Sequence, residues 1–325
     1  MSGAADHGDV GPRLRHLLPL IAIAASAFAA PAFASEALVD TNVRLTAFAV
    51  NAKGEALVSY VRSDGKPRNV LFWGAVNANA PLDPNVRQVR FSRDYAGGWG
   101  KYRNASYWKT LKNACAPYDG PALPYLVSAC KAPDGSYWAL QSWQRGLPLL
   151  GFDPWKPSQT AFELHLSHWT GDLPKLEVYA HWTYGGQWQG LFGKLTYAGN
   201  AVHGFGSTGD GNPRDRYGRN VYIDTFNSVY GAGWRRESGI LVHKPTGTFC
   251  HSFVPQKPFP GYPSQNMRPP APGERYRVTV MGPGVTPVVA WEGSGLTSAD
   301  RAAAGSITAV FDQLMAGDAR CAGER

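Results

Sequence analysis

The chain has 325 residues, a formal net charge of +8 and 17% charged residues. Hydrophobic residues make up 44%, and 11 Trp and 15 Tyr are an unusually heavy aromatic load, so the chain can bury a large core. Its basic residues are spread out, with no run of five, which excludes nucleic acid as a partner and leaves polyanionic surroundings such as an envelope polymer or phospholipid surface.

The N-terminus reads as a secretory leader. Arg13 and Arg15 precede an apolar run beginning Leu17-Leu18-Pro19, and Ala32-Phe33-Ala34 gives an A-x-A site before Ser35. Residues 1–34 are therefore expected to be removed, and residues 35–325 to form a single large β-rich domain, secreted or periplasmic. No later segment is apolar enough to span a bilayer.

From Val43 onward the pattern has a period of two. Val43–Val50, Glu55–Arg62 and Asn69–Val76 are separated by Asn51-Ala52-Lys53-Gly54 and Ser63-Asp64-Gly65-Lys66-Pro67, which are turn sequences. Similar runs recur at Val86–Ser92, Ser136–Trp143, Phe162–Trp169, Leu176–Tyr184, Leu191–Tyr197, Val221–Phe226, Gly239–His243, Thr248–Val254, Tyr276–Met281 and Pro287–Trp291. The expected fold is mainly antiparallel β: a sandwich, a barrel or a propeller-like stack. A short helix is expected from Asn104 through Cys115. A C-terminal helix is expected to start at Thr297 and stop at Gly317, with Ile307, Val310, Phe311 and Leu314 on one face. Residues 255–272 are Pro-rich and read as a loop or linker. Four cysteines in an exported chain imply two disulfides, and the expected pairing is Cys115–Cys130 with Cys250–Cys321.

Three stretches carry the functional signal. First, Trp99 sits among Gly97, Gly98 and Gly100, and Trp188 follows Gly185-Gly186. Both read as loop aromatics that can stack on sugar rings. Second, Phe162–Trp169 and Leu176–Tyr184 flank Gly171-Asp172-Leu173-Pro174 and read as one hairpin. A five-residue loop puts Leu164, Leu166 and His168 on an apolar face, and Glu163, His165, Trp169, Glu177, Tyr179 and His181 on the other. That face is a polar ligand platform, an ordinary solvated surface, or a divalent-metal site built from His165, His181 and Glu163. No cofactor is otherwise required.

The third stretch runs from Gly206 to Glu237. Gly204-Phe205-Gly206-Ser207-Thr208-Gly209 matches a dinucleotide fingerprint in spacing, but Asp210-Gly211-Asn212-Pro213 follows where a helix is needed. Asp210, Asn212 and Asp215 resemble part of a calcium loop without its closing Glu. On the strand that follows, Val221, Ile223 and Thr225 point one way, and Asn220, Tyr222, Asp224 and Phe226 the other. With Arg219, Trp234 and Arg235 close in sequence, this set suits a hydroxyl-rich or anionic ligand, or else an ion-pair network joining Asp224 to Arg219 or Arg235.

The leading expectation is an exported protein that recognises a polysaccharide or other envelope polymer through Asn220, Tyr222, Arg219, Trp234, Arg235, Trp188 and Trp99. One alternative is a polysaccharide-cleaving enzyme with Asp224, Glu237 and Asp215 as its carboxylates. The other is a non-catalytic envelope module that uses the Pro-rich stretch to hold a protein partner.

Overall fold

The computed structural model describes residues 35–76, 91–99, 106–144, 161–184, 187–202, 221–228, 231–236, 240–243, 247–252 and 274–294. The expected leader (1–34), the loop at 255–272, the helix at 297–317, and Asp215, Arg219, Asn220, Glu237 and Cys321 lie outside the described residues.

The described chain is mainly β, in four antiparallel sheets with almost no helix. Sheet A orders β1 (Glu36–Thr41), β9 (Phe162–Trp169), β8 (Tyr137–Gln144), β7 (Leu126–Lys131) and β6 (Ala116–Pro117). Sheet B is a meander of β2 (Arg44–Val50), β3 (Glu55–Val61), β4 (Pro67–Trp73) and β5 (Ser92–Asp94). Sheet C orders β10 (Lys175–Tyr184), β11 (Gln187–Tyr197), β16 (Thr248–Ser252) and β15 (Ile240–His243), with β12 (Asn200–Ala201) against β11. Sheet D orders β14 (Gly231–Arg236), β13 (Val221–Ser228), β17 (Arg275–Val280) and β18 (Val289–Ser294).

Two apolar layers hold these sheets. Val58, Tyr60, Val70 and Phe72 of sheet B pack with Trp138, Leu140, Leu164 and Leu166 of sheet A. Leu191, Leu195 and Phe249 of sheet C pack with Val221, Ile223, Val278 and Val280 of sheet D. The ring of Phe249 lies over Gly193, its cross-strand partner, where any Cβ would collide with it. Sheet A is buried on its second face as well. There Gln141 donates from Nε2 to the carbonyls of Pro124 and Val288, and accepts from the Val288 amide at 2.9 Å. With the Tyr125–Thr279 hydroxyl contact at 2.7 Å, these bonds tie sheet A to sheet D.

The expected hairpin between Phe162–Trp169 and Leu176–Tyr184 does not form. β9 is a central strand of sheet A, between β1 and β8, and β10 pairs with β11 in sheet C. Alternation separates the two faces of β9, but it does not name a partner. With Leu164 to Trp169 all buried, β9 needs neighbours on both edges. The face expected to be polar and wet carries His165 at 0%, Ser167 at 0% and Trp169 at 0% exposure.

The internal helix shrinks to one turn, α1 (Tyr107–Thr110), and Leu111 is already extended with ψ 120°. Asn113 is the reason. Its Oδ1 accepts the amides of Val50 and Cys115, and the Ala114 amide donates to the Val50 carbonyl, so the segment is drawn along sheet B. Cys115–Cys130 forms as expected and closes a separation of 15 residues. Cys250 lies in β16, and its expected partner is outside the described residues. No helix among the described residues is long and apolar enough to cross a membrane.

Candidate functional site

Sheet D has one apolar face and one face of arginines and rings. The register sets this. Asp224 on β13 lies opposite Arg236 on β14 and Arg277 on β17; Phe226 lies opposite Trp234 and Arg275; Tyr222 lies opposite Thr279. Opposed residues share a face, so Tyr222, Asp224, Phe226, Trp234, Arg236, Arg275 and Arg277 form one surface. The expected alternation of the strand holds, but the apolar and polar sets are both buried as far as Thr225.

Asp224 is the anchor. Arg236 Nε donates to its Oδ1 at 2.7 Å and Nη2 to Oδ2 at 3.4 Å; Arg277 donates to Oδ2 from Nε at 3.2 Å and Nη2 at 3.1 Å. Burial alone would raise the pKa of this carboxyl, but the two guanidiniums outweigh it and hold it below the usual carboxylate range. Arg235, one of the two partners expected from the sequence, lies opposite Thr225 and so falls on the opposite face; the other, Arg219, lies outside the described residues.

The arginines also stack. Arg236 lies over the Tyr222 ring at 5.2 Å. Arg275 lies over Phe226 at 4.5 Å and Trp234 at 5.4 Å, and Arg277 over Trp234 at 4.5 Å and Tyr125 at 5.4 Å. Stacking uses the flat face of a guanidinium and leaves its N–H edge available for hydrogen bonds. Exposure grades along this row: Arg275 is exposed, Phe226 and Trp234 are half-buried, and the Arg236 and Asp224 side chains are each 4% exposed.

Charge is uneven here. Among the described residues, Arg236, Arg275 and Arg277 share a face with one tightly bonded carboxylate, Asp224, and a second at longer range, Glu292, whose Oε1 lies 3.8 Å from Arg277 Nη1. The sheet A side adds Trp143, whose ring meets Tyr222 edge to face at 5.0 Å.

The other expected residues fall elsewhere. Trp99 is 62% exposed in the turn after β5, far along the chain from this face. Trp188 lies in β11 opposite Thr183, so it belongs to a strand where a loop was expected. His165 contacts Glu163 Oε2 at 3.2 Å and Ser35 Oγ at 3.2 Å. His181 is on β10 in sheet C, so the cross-strand pair expected for a metal does not exist. Among the described residues no group of three or more His, Cys, Asp or Glu is placed to hold a metal.

A Ser–His–Asp grouping does occur in sheet A. Ser136 Oγ lies 2.6 Å from Asp134 Oδ1 and 2.8 Å from His168 Nε2, and His168 Nδ1 donates to the Ala75 carbonyl. A hydrolytic triad needs an accessible serine with the histidine in the middle. Here the serine is in the middle and 1% exposed. Burial pushes the His168 pKa down to about 4, so the imidazole is a neutral core group.

No protein-family model, curated protein or solved structure matches this chain. The site must be read from its own chemistry.

Sequence reasoning missed Arg275 and Arg277, and did not pair Arg236 with Asp224. The signal was present in Arg275-Tyr276-Arg277-Val278-Thr279, whose alternation places both arginines on one face. Gly231-Ala232-Gly233 hid β14, because two glycines in three residues read as a loop.

Proposed function

We propose that the protein is an exported binding protein for an acidic glycan or similar polyanionic envelope polymer, held on the arginine–aromatic face of sheet D. One observation carries the reading: three guanidiniums on one face are interleaved with rings, with Asp224 as the one carboxylate closely bonded to them among the described residues. A bare tryptophan platform favours neutral sugars, since the ring face is free to stack. Here Arg275 and Arg277 lie over Trp234, so the groups offered to a ligand are N–H edges. Such edges match carboxylate or phosphate oxygens. The net charge of +8 supports the same ligand class, and the Cys115–Cys130 disulfide supports an oxidising destination for a chain that begins with a leader-like segment.

Asp224 as a catalytic acid fits this geometry poorly. Both its oxygens are engaged by guanidiniums that favour the charged form, so it has no proton to donate near neutral pH. Its role in this reading is to hold Arg236 and Arg277 in place.

The test is retention of the protein with its leader removed (residues 35–325) on polygalacturonate, alginate and an uncharged glucan, with reducing ends scored in the same tubes. The expected result is retention on the acidic polymers, falling steeply between 50 and 500 mM salt, with no release of reducing ends. Equal retention on the uncharged glucan, or none on either acid, contradicts the reading.

A further inference from the structure

At its inner end the face holds donors with no hydrogen-bond partner among the described residues. Arg236 is 4% exposed and presents Nε and Nη2 to Asp224. That uses the side of the guanidinium. Nη1 has no hydrogen-bond partner among the described residues. A guanidinium carries five N–H groups in fixed fork geometry, so the end formed by Nη1 and the outer Nη2 hydrogen is a second fork. A buried donor left without a partner destabilises the fold.

A second observation comes from the other sheet. Trp143 of sheet A is 2% exposed, and its Nε1 also has no hydrogen-bond partner among the described residues. Arg236 and Trp143 rest on the same ring: the guanidinium carbon is 5.2 Å from the Tyr222 centroid, and the Trp143 ring centroid is 5.0 Å from it. Two unused donors therefore border one tyrosine at the junction of sheets A and D.

The third observation is charge. Asp224 is shared by Arg236 and Arg277, and Glu292, the other carboxylate near Arg277, is half exposed at 3.8 Å. Among the described residues, Arg236 and Arg277 thus share one closely bonded carboxylate, and a buried charge without a full partner is costly. A small planar anion would offset the charge and fill the fork.

We propose that Arg236 and Trp143 form a recess for a single carboxylate, the acid group of a uronic acid residue. Arg236 takes the carboxylate through its free end fork, and Trp143 Nε1 is the additional donor. In this arrangement the acid group sits at the fork, and the rest of the sugar lies outward along Arg277 and Trp234. The assignment rests on the acidic-glycan reading for the ligand's identity and adds where its acid group goes.

The experiment titrates the protein with sodium glucuronate, glucose and inorganic phosphate, following tryptophan fluorescence and melting temperature. Glucuronate should bind saturably and raise the melting temperature, and glucose should not. Trp143→Phe keeps the ring and removes the donor, and should weaken glucuronate about tenfold. Arg236→Lys keeps a charge for Asp224 and removes the fork, and should abolish saturable binding; where it fails to fold, Trp143→Phe still decides. Wild-type affinity in Trp143→Phe, or binding of phosphate with no binding of glucuronate, overturns the recess. If acidic polymers are retained and Trp143→Phe binds glucuronate as wild type does, the recess is wrong and the outer face stands. If glucuronate binds as expected and no acidic polymer is retained, the recess stands and the polymer reading falls.

Discussion

Two aspartates in this molecule each sit between two arginines, and they do different work. Asp40 on β1 accepts from Arg68 Nη1 at 2.7 Å and from the Tyr60 hydroxyl at 2.8 Å, and pairs with Arg62 Nε at 3.2 Å. Arg62 also meets Asp64 at 3.3 Å, and Arg93 pairs with Glu36. Three arginines therefore face three carboxylates, at a rim where the Asp40 side chain is 14% exposed and its arginines about twice that. That network fastens the edge strand β1 of sheet A to sheet B. Asp224 repeats the motif with 4% exposure, tighter stacking and an excess of arginine. Balanced and half-wet charge reads as a fastening. Buried charge with more arginine than bonded carboxylate among the described residues is what supports the proposed anion site.

The largest effect that can break this comparison is Asp224→Asn. It leaves the buried Arg236 without its bonded carboxylate and Arg277 with the more distant Glu292, and removing one partner of a buried pair costs about 3–5 kcal/mol. Urea unfolding followed by circular dichroism measures it. A loss no greater than that of Asp40→Asn would erase the distinction.

Acid titration comes next. His168 is held neutral, with its pKa lowered to about 4 by burial. The unfolded chain binds that proton near pH 6.5, so it holds more protons than the native state between about pH 6.5 and 4, and stability falls as pH drops through that window. The loss is on the order of 3 kcal/mol, and His168→Gln should flatten it. Asp224 acts lower: its depressed pKa gives stability that is full above the ordinary carboxylate range and is lost only as pH falls below about 4. Unfolding curves at pH 7, 5 and 3.5 separate the two. A flat profile from pH 7 to 5 in the wild type would contradict the burial assigned to His168.

Asp40→Asn should cost less, about 1–2 kcal/mol, because Arg62 keeps Asp64 and the groups are partly solvated. Smallest of all is Trp99→Ala. Its ring is 62% exposed and away from the arginine face along the chain, so polymer retention should change less than twofold, and stability by less than about 0.5 kcal/mol. A large loss of retention in this variant would move the binding surface to sheet B.

The strands were legible because alternation is local. β2, β3, β8, β9, β13 and β17 fall where the period-two runs lie, and the Cys115–Cys130 bond where short spacing placed it. Partners were less legible. The run ending at Trp169 could close a hairpin with the next run or take neighbours from residues 36–41 and 137–144, and only the burial of both its faces decides for the second. For the proposed site, the sequence grouped Asp224, Tyr222 and Trp234, which share one face of sheet D, but paired Asp224 with Arg219 or Arg235 and not with Arg236. The choice depends on a one-residue register in a glycine-rich hairpin, and a single step there moves an arginine to the other face.

The central claim is that ligand sits on the arginine–aromatic face of sheet D. Hydroxyl-radical footprinting of the protein with and without polygalacturonate, read by mass spectrometry at each ring, tests it most directly. The account predicts protection of Phe226 and Trp234 with no change at Trp99 or Trp108. Protection of Trp99 and Trp108 with Phe226 and Trp234 unchanged would contradict it.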